Sequence, residues 1–123
     1  MNPGKKLVLS SLVLLALVFS SFQSVQTVYA ACSGVVYVDA GSGAASPDGC
    51  SWGNAFPKLQ DALTASTAGD EIWVAAGTYY PDEGAGQTND SRASTFRLKN
   101  GVAVYGGFAG SETVRSQRDP SVN

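Results

Sequence analysis

The sequence contains no histidine, one methionine and two cysteines. Histidine is the commonest metal ligand and the usual general base near neutral pH. Its absence therefore excludes Ser-His and Cys-His catalytic arrangements. Charged residues make up only 15% of the chain, eight basic against ten acidic, and no run of basic residues occurs. This balance argues against nucleic acid and anionic membrane surfaces as partners.

Residues 1–30 have the three parts of a secretory signal peptide. Lys5 and Lys6 form a positive amino-terminal region, and residues 7–22 form an uncharged apolar run. Val28-Tyr29-Ala30 then places small or branched residues three and one positions before a cleavage site. We predict cleavage between Ala30 and Ala31, and a mature domain of residues 31–123 that is secreted or held at the cell surface.

Residue chemistry disfavours two alternatives to this processing. A permanent membrane anchor needs roughly 20 apolar residues, more than residues 7–22 supply, and no later segment of the sequence could cross a bilayer. Ala30-Ala31-Cys32 also resembles a bacterial lipobox, in which the cysteine is lipidated. Tyr29 and the polar stretch 23–27 fit a lipoprotein signal poorly.

Cys32 and Cys50 are the only cysteines, and both follow the predicted cleavage site. An even cysteine count in an oxidising compartment favours a disulfide over two free thiols. Closing this glycine-containing loop would stabilise the fold by about 3 kcal/mol in the chain-entropy model. We therefore predict a Cys32–Cys50 disulfide.

Apolar spacing predicts one short helix and several strands. The helix is predicted from Pro57, which suits a first helical position, to Ser66, with Leu59 and Leu63 on its apolar face. Gly69 follows where a left-handed C-cap is expected. Strands are predicted at residues 35–39, 72–74, 94–98 and 102–105, with a turn at 99–101 and a polar surface loop at 81–93.

Two segments of the chain are alike in kind. Both Ile72 to Gly77 and Val102 to Gly107 run from an apolar strand into a corner of small residues. The spacing between their first residues lies within the period of stacked repeat architectures, roughly 20–50 residues. We expect parallel coils that stack on one another, with the helix covering one open end of the stack.

A helix, a Gly-Asp turn, a strand and then Gly77-Thr78-Tyr79 resemble the start of a known family. They are similar to the amino-terminal cap and first coils of secreted right-handed parallel β-helix (pectin-lyase-like) proteins. The resemblance extends from about Val36 to Pro120. It implies a mainly β fold, in which a capping helix precedes the first, incomplete coils of a β-helix. It also implies further coils of a longer parent chain as the partner, and cell-surface polysaccharide as a ligand class.

The polar and aromatic residues show no pattern of a catalytic or metal site. The acids nearest the predicted turns lack the Asp-x-Asp-x-Asp spacing of a calcium loop, which favours turn and cap roles: Asp39, Asp48, Asp70 and Glu71. Four rings could form a sugar-stacking platform, but core packing is the favoured interpretation for the tryptophans: Trp52, Trp73, Tyr79 and Tyr80. Arg115, Arg118 and Asp119 lack a partner carboxylate cluster. We predict no catalytic, cofactor-binding or metal-binding residue.

Three hypotheses of function follow from these observations. The first is a structural amino-terminal cap of an exported β-helix protein, with no catalytic activity of its own. The second is the amino-terminal fragment of a polysaccharide lyase or hydrolase, whose catalytic coils would lie further along the chain. The third is a self-standing secreted binding module that uses the 81–93 loop or exposed tyrosines.

The signal-peptide interpretation makes a direct prediction about processing. Amino-terminal sequencing of the exported protein should begin at Ala31, because the cleavage site follows Ala30. Recovery of an intact Met1 in a cytosolic fraction would contradict export.

Overall fold

A computed structural model describes Cys32 and residues 34–123. The predicted signal peptide and its Ala30–Ala31 cleavage site lie outside the described residues. None of the helices in the described part has the length and apolar character that a membrane span requires. The elements, in chain order, are β1 (Val35–Val38), a 3₁₀ turn (Trp52–Asn54), α1 (Leu59–Ala65), β2 (Glu71–Ala75), β3 (Ala103–Phe108) and a second 3₁₀ turn (Arg115–Gln117).

The three strands form one parallel sheet in the order β1-β2-β3. Val36 pairs with Ile72, and Ile72 pairs in turn with Val104. Although the similar segments begin at Ile72 and Val102, the residue opposite Ile72 is Val104. The true register places aliphatic side chains in one row across the sheet and aromatic side chains in the next.

The aliphatic face of the sheet carries the core. Val36, Val38 and Ile72 share this face, since alternate side chains of a strand point to the same side of the sheet. All three are almost fully buried. Helix α1 packs on this face through its apolar stripe. The cluster comprises Val36, Val38, Phe56, Ala62, Leu63 and Ile72.

The opposite face is aromatic, and a bulge in β3 completes it. Trp73 pairs with Tyr105, but Ala75 pairs with Phe108, so β3 has one more residue than β2 between these two pairs. The bulge brings the Phe108 ring to the same face as Trp73, where the two rings stack with their centroids 4.8 Å apart. The segment Val102 to Gly107 was predicted to end in a corner of small residues at Gly106 and Gly107. They lie inside β3 instead and supply the bulge.

The outer edge of β1 is closed by the segment 49–56. The Tyr37 N–H donates to the Gly49 carbonyl at 2.8 Å, and the Phe56 N–H donates to the Tyr37 carbonyl at 3.0 Å. Phe56 also forms a parallel bridge with Val38. Cys32 and Cys50 are joined by the disulfide that the cysteine count predicts. The bond ties the covering segment to the residues just before β1.

The helix starts later than predicted. Pro57 is not its first residue, since Lys58 is the N-cap and has an extended backbone, with φ of −123° and ψ of 132°. The reason is that the preceding residue, Phe56, is held extended by its pairing with β1. The helix ends at Ala65 with Ser66 as C-cap. Gly69 has a positive φ of 101°, but it lies in the turn before β2 and not at the C-cap.

The strand predicted at residues 94–98 is absent from the described structure, where this segment is irregular. The Gln60 side chain donates to the carbonyl of Thr95 at 3.0 Å and also to the carbonyl of Pro81. Leu98 is 70% exposed. The segment is therefore held by a buried side chain of α1, and no neighbouring strand among the described residues pairs with it.

The closure of the β1 edge by the segment 49–56 depends most directly on Gly49, and Gly49→Ala should therefore destabilise the fold. Its φ is +73°, and an added Cβ would lie 2.4 Å from the Phe56 ring. Backbone strain and overpacking together should lower the free energy of unfolding by about 3 kcal/mol.

Gly53→Ala is the matched control for this substitution. A Cβ at Gly53 would meet only the Ser51 Oγ, at 3.9 Å. Denaturant unfolding of both variants provides the measurement. Equal midpoints for the two would show that Gly49 does not limit the packing of the covering segment.

Candidate functional site

The outer edge of β3 is the part of the sheet that can add a further strand. The Ala103 N–H donates to the Asp70 carbonyl at 3.1 Å, so it points towards β2. Backbone groups of successive strand residues point to opposite edges, and the Val104 N–H and C=O therefore point outwards. They have no hydrogen-bond partner among the described residues. Within the described part of the chain, the sheet is thus closed at β1 and open at β3.

The carboxyl-terminal half of this edge is covered by the chain itself. The Asp119 N–H donates to the Gly107 carbonyl at 2.7 Å, and the Arg118 guanidinium donates to the Gly106 carbonyl at 3.1 Å. The chain passes so close that a Cβ on Gly107 would lie 2.8 Å from Pro120 Cγ. Among the described residues of β3 that precede the bulge, Val104 is the one whose outward backbone groups remain uncovered.

Two guanidinium groups lie over the Tyr105 ring at the same edge. The Arg115 and Arg118 Cζ atoms are 4.7 and 5.5 Å from the ring centroid. Arg115 also donates to the Tyr105 hydroxyl at 3.1 Å and forms an ion pair with Glu71. Glu71 in turn accepts the Trp73 indole N–H at 2.8 Å. Charged side chains thus cover the last ring of the aromatic row.

The residues considered for sugar stacking are not brought together as an exposed platform. Trp73 is 5% exposed, and Trp52 packs edge-on to Tyr37 with ring centroids 4.8 Å apart. The Tyr79 hydroxyl accepts from the Ala40 N–H at 3.1 Å and donates to the Ala75 carbonyl at 2.8 Å. Burial raises the pKa of Tyr79, the backbone hydrogen bond from Ala40 opposes this rise, and Asp39 adds to it. Tyr80 is an exposed ring, at 55%.

Three of the candidate carboxylates accept backbone hydrogen bonds within the turns in which they lie. Asp39 accepts from the Gly41 N–H at 2.8 Å, Asp48 from the Cys50 N–H at 2.9 Å, and Asp70 from the Thr67 N–H at 2.8 Å. Within the described part of the chain, no group of three or more acidic, cysteine or histidine side chains could hold a metal ion.

A cavity of about 500 Å³ lies between α1 and two loops. Its lining includes Phe56, Asp61 and Ala85. The Asp61 Oδ1 already accepts the Ala85 N–H at 2.7 Å. The acid therefore holds the 81–93 loop against the helix.

Glu112 orders the chain between β3 and the covering residues. Its carboxylate accepts the backbone N–H groups of Ala109, Gly110 and Ser111 at 2.6 to 3.0 Å, and its own carbonyl accepts the Trp52 indole N–H at 2.8 Å. Burial alone would raise the pKa of Glu112, but these backbone hydrogen bonds outweigh it and hold the pKa below its ordinary value. The ionised form is therefore the one that the turn stabilises.

Comparison of the chain with protein-family models, with curated proteins and with solved structures gave no match. Arg115 and Arg118 belong to no catalytic pattern in the sequence, which therefore predicts no role for them. An alignment of Trp73 with Tyr105 would have placed an aromatic residue at the edge that these arginines cover.

The pKa of Glu112 leads to a prediction of pH-dependent stability. The pKa of Glu112 is lower in the folded chain than in the unfolded chain, so its carboxylate stabilises the fold at pH values above the ordinary carboxyl pKa of about 4.5. This stabilisation is lost as the pH falls through the folded pKa. Glu112→Gln should therefore lower the free energy of unfolding by about 1 kcal/mol near pH 7, and the difference from wild type should shrink towards pH 3.

Asp90→Asn controls for a general change in charge, since the Asp90 side chain makes no hydrogen bond or ion pair within the described structure. Chemical denaturation at several pH values measures both variants. A Glu112→Gln difference that stays constant with pH would rule out the stabilised carboxylate.

Proposed function

We propose that this chain is the amino-terminal cap and first coils of an exported right-handed parallel β-helix protein, and that its role is structural. One observation carries the proposal: three consecutive strands pair in parallel and in chain order, with the first edge closed and the last edge open. A stack that is closed only at its start suits a unit on which later coils are built.

The side-chain rows support the same role. Val36, Ile72 and Val104 form one aliphatic row, and Tyr37, Trp73 and Tyr105 form an aromatic row. Both rows run perpendicular to the strands and end at the open edge. Stacked repeats stabilise one another through such nearest-neighbour contacts. A further strand beside β3 would extend both rows without a change of register.

The covered first edge explains how such a unit could stand at the beginning of a stack. A bare first strand would present unpaired backbone groups to other chains. Here the segment 49–56 pairs with β1, and the Cys32–Cys50 disulfide holds that segment in place. A disulfide suits an oxidising compartment, so the bond also supports secretion or display at the cell surface.

A second candidate function, the self-standing secreted module, is favoured by a different observation. Arg118 and Asp119 already satisfy the carbonyls of Gly106 and Gly107 at the open edge. The more of the edge that the chain covers by itself, the less it needs a following coil. The cavity beside the 81–93 loop would then be a place for a ligand.

The two functions differ in what they predict for Val104. If longer chains encoded by the same reading frame carry further coils, hydrogen exchange of the Val104 amide should slow at least tenfold in the longer chain, because the amide gains a strand partner. The next aliphatic strand residue should follow Val104 at a spacing close to those that separate Val36 from Ile72 and Ile72 from Val104.

The chain of residues 31–123 alone provides the comparison. Under the cap proposal it should be marginally stable. A stop codon directly after Asn123, together with a cooperative unfolding transition well above about 60 °C, would overturn the cap proposal in favour of the module. An unchanged exchange rate for Val104 in the longer chain would do the same.

A further inference from the structure

The outer edge of β3 is also the surface through which two copies of this chain could pair. An exposed parallel strand edge is a ready template for another strand. Pairing of two copies would need several consecutive outward-pointing backbone groups, since a single pair of hydrogen bonds does not hold two proteins together. The bulge at Gly106 and Gly107 lies in the middle of this edge.

We propose that Arg115, Arg118 and Asp119 form an edge guard that prevents β3 from pairing with a second copy of the chain. Asp119 and Arg118 occupy the carbonyls of Gly107 and Gly106 at 2.7 and 3.1 Å. This leaves Val104 as the only residue of β3 before the bulge whose outward groups lack a partner among the described residues. The guard shortens the available edge below the length that a stable strand pair needs.

The charges of the arginines further disfavour the pairing of two copies. Arg115 and Arg118 both lie over the Tyr105 ring, and within the described residues only Arg115 has an acidic partner, Glu71. In a β3-to-β3 pair, each copy would bring its own uncompensated Arg118 to the shared edge. Charged side chains at an edge are a recognised protection against such pairing.

The guard is itself held in place by neighbouring side chains. The Gln117 side chain accepts the backbone N–H groups of Thr113 and Val114 at 2.8 and 3.1 Å, which fixes the turn between Arg115 and Arg118. The close approach of Pro120 to Gly107 shows that the segment lies directly against β3. This inference depends on the contacts of residues 115–120 with β3 and not on the proposed function, so it holds whether the chain is a cap or a self-standing module.

Sedimentation of the purified chain with Arg118→Ala tests the guard. Removing Arg118 uncovers the Gly106 carbonyl and half of the charge over Tyr105, so the dimer association constant should rise at least tenfold above that of wild type. Arg92→Ala is the matched control, because it removes the same charge from an exposed side chain with no described contact. Its association should equal that of wild type.

Two further measurements identify the surface. In the Arg118→Ala dimer, the Val104 amide should be protected from hydrogen exchange, and adding Val104→Pro should restore the monomer, because proline is tolerated at an edge position whose N–H faces outwards. Should Arg118→Ala fail to fold, Arg118→Met compared with Arg92→Met gives the same test, since methionine keeps an apolar stem over the ring. Equal association of the Arg118 and Arg92 variants, or a dimer in which Val104 stays unprotected, would overturn the proposal.

Discussion

The pairing of Tyr37 with Gly49 and Phe56 is the interaction on which the rest of the sheet depends. It satisfies the outward N–H and C=O of Tyr37 and gives β1 a neighbour on each side. It also brings the Phe56 ring into the core beside Val38. Because the segment reaches β1 through a glycine-containing loop, the Cys32–Cys50 disulfide matters most here: it limits the freedom of that loop in the unfolded chain.

With the first edge closed, the two faces of the sheet take different roles. The aliphatic face receives α1 and forms a compact core, whereas the aromatic face is completed by Trp52 from the 3₁₀ turn and by Phe108 from beyond the bulge. Both additions come from chain segments distant in sequence. The Glu112 turn joins them, because it follows Phe108 and accepts the Trp52 indole N–H. The segment that closes the β1 edge and the turn that follows β3 are therefore linked through the aromatic face.

The helix, the disulfide and three of the four predicted strands could be predicted from sequence, whereas the register of the sheet and the bulge in β3 could not. The apolar run Ile72 to Val74, the spacing of Leu59 and Leu63, and the cysteine count each carry their own signal, and the structure contains the corresponding strand, helix and disulfide. Pro57 suggested an early helix start, but the pairing of Phe56 with β1 outweighs that local preference. The bulge in β3 places Phe108 on Trp73, and this contact between residues distant in sequence has no local signature. The segment 94–98 has the composition of a strand, but it has no partner strand among the described residues, and Gln60 binds its backbone instead.

The asymmetry of the two edges connects the proposed function with the edge guard. A unit that nucleates a stack needs an edge that accepts a strand, yet an exported chain must not expose that edge to its own copies. Under the two proposals, different residues meet these two needs. Val104 keeps its outward groups available at the end of the aliphatic and aromatic rows, while Arg118 and Asp119 cover the carbonyls beyond it. A strand supplied by the same chain is held at high effective concentration and can use a short opening. A second copy must bind through the same short opening without that advantage, so the length of the uncovered edge selects the partner.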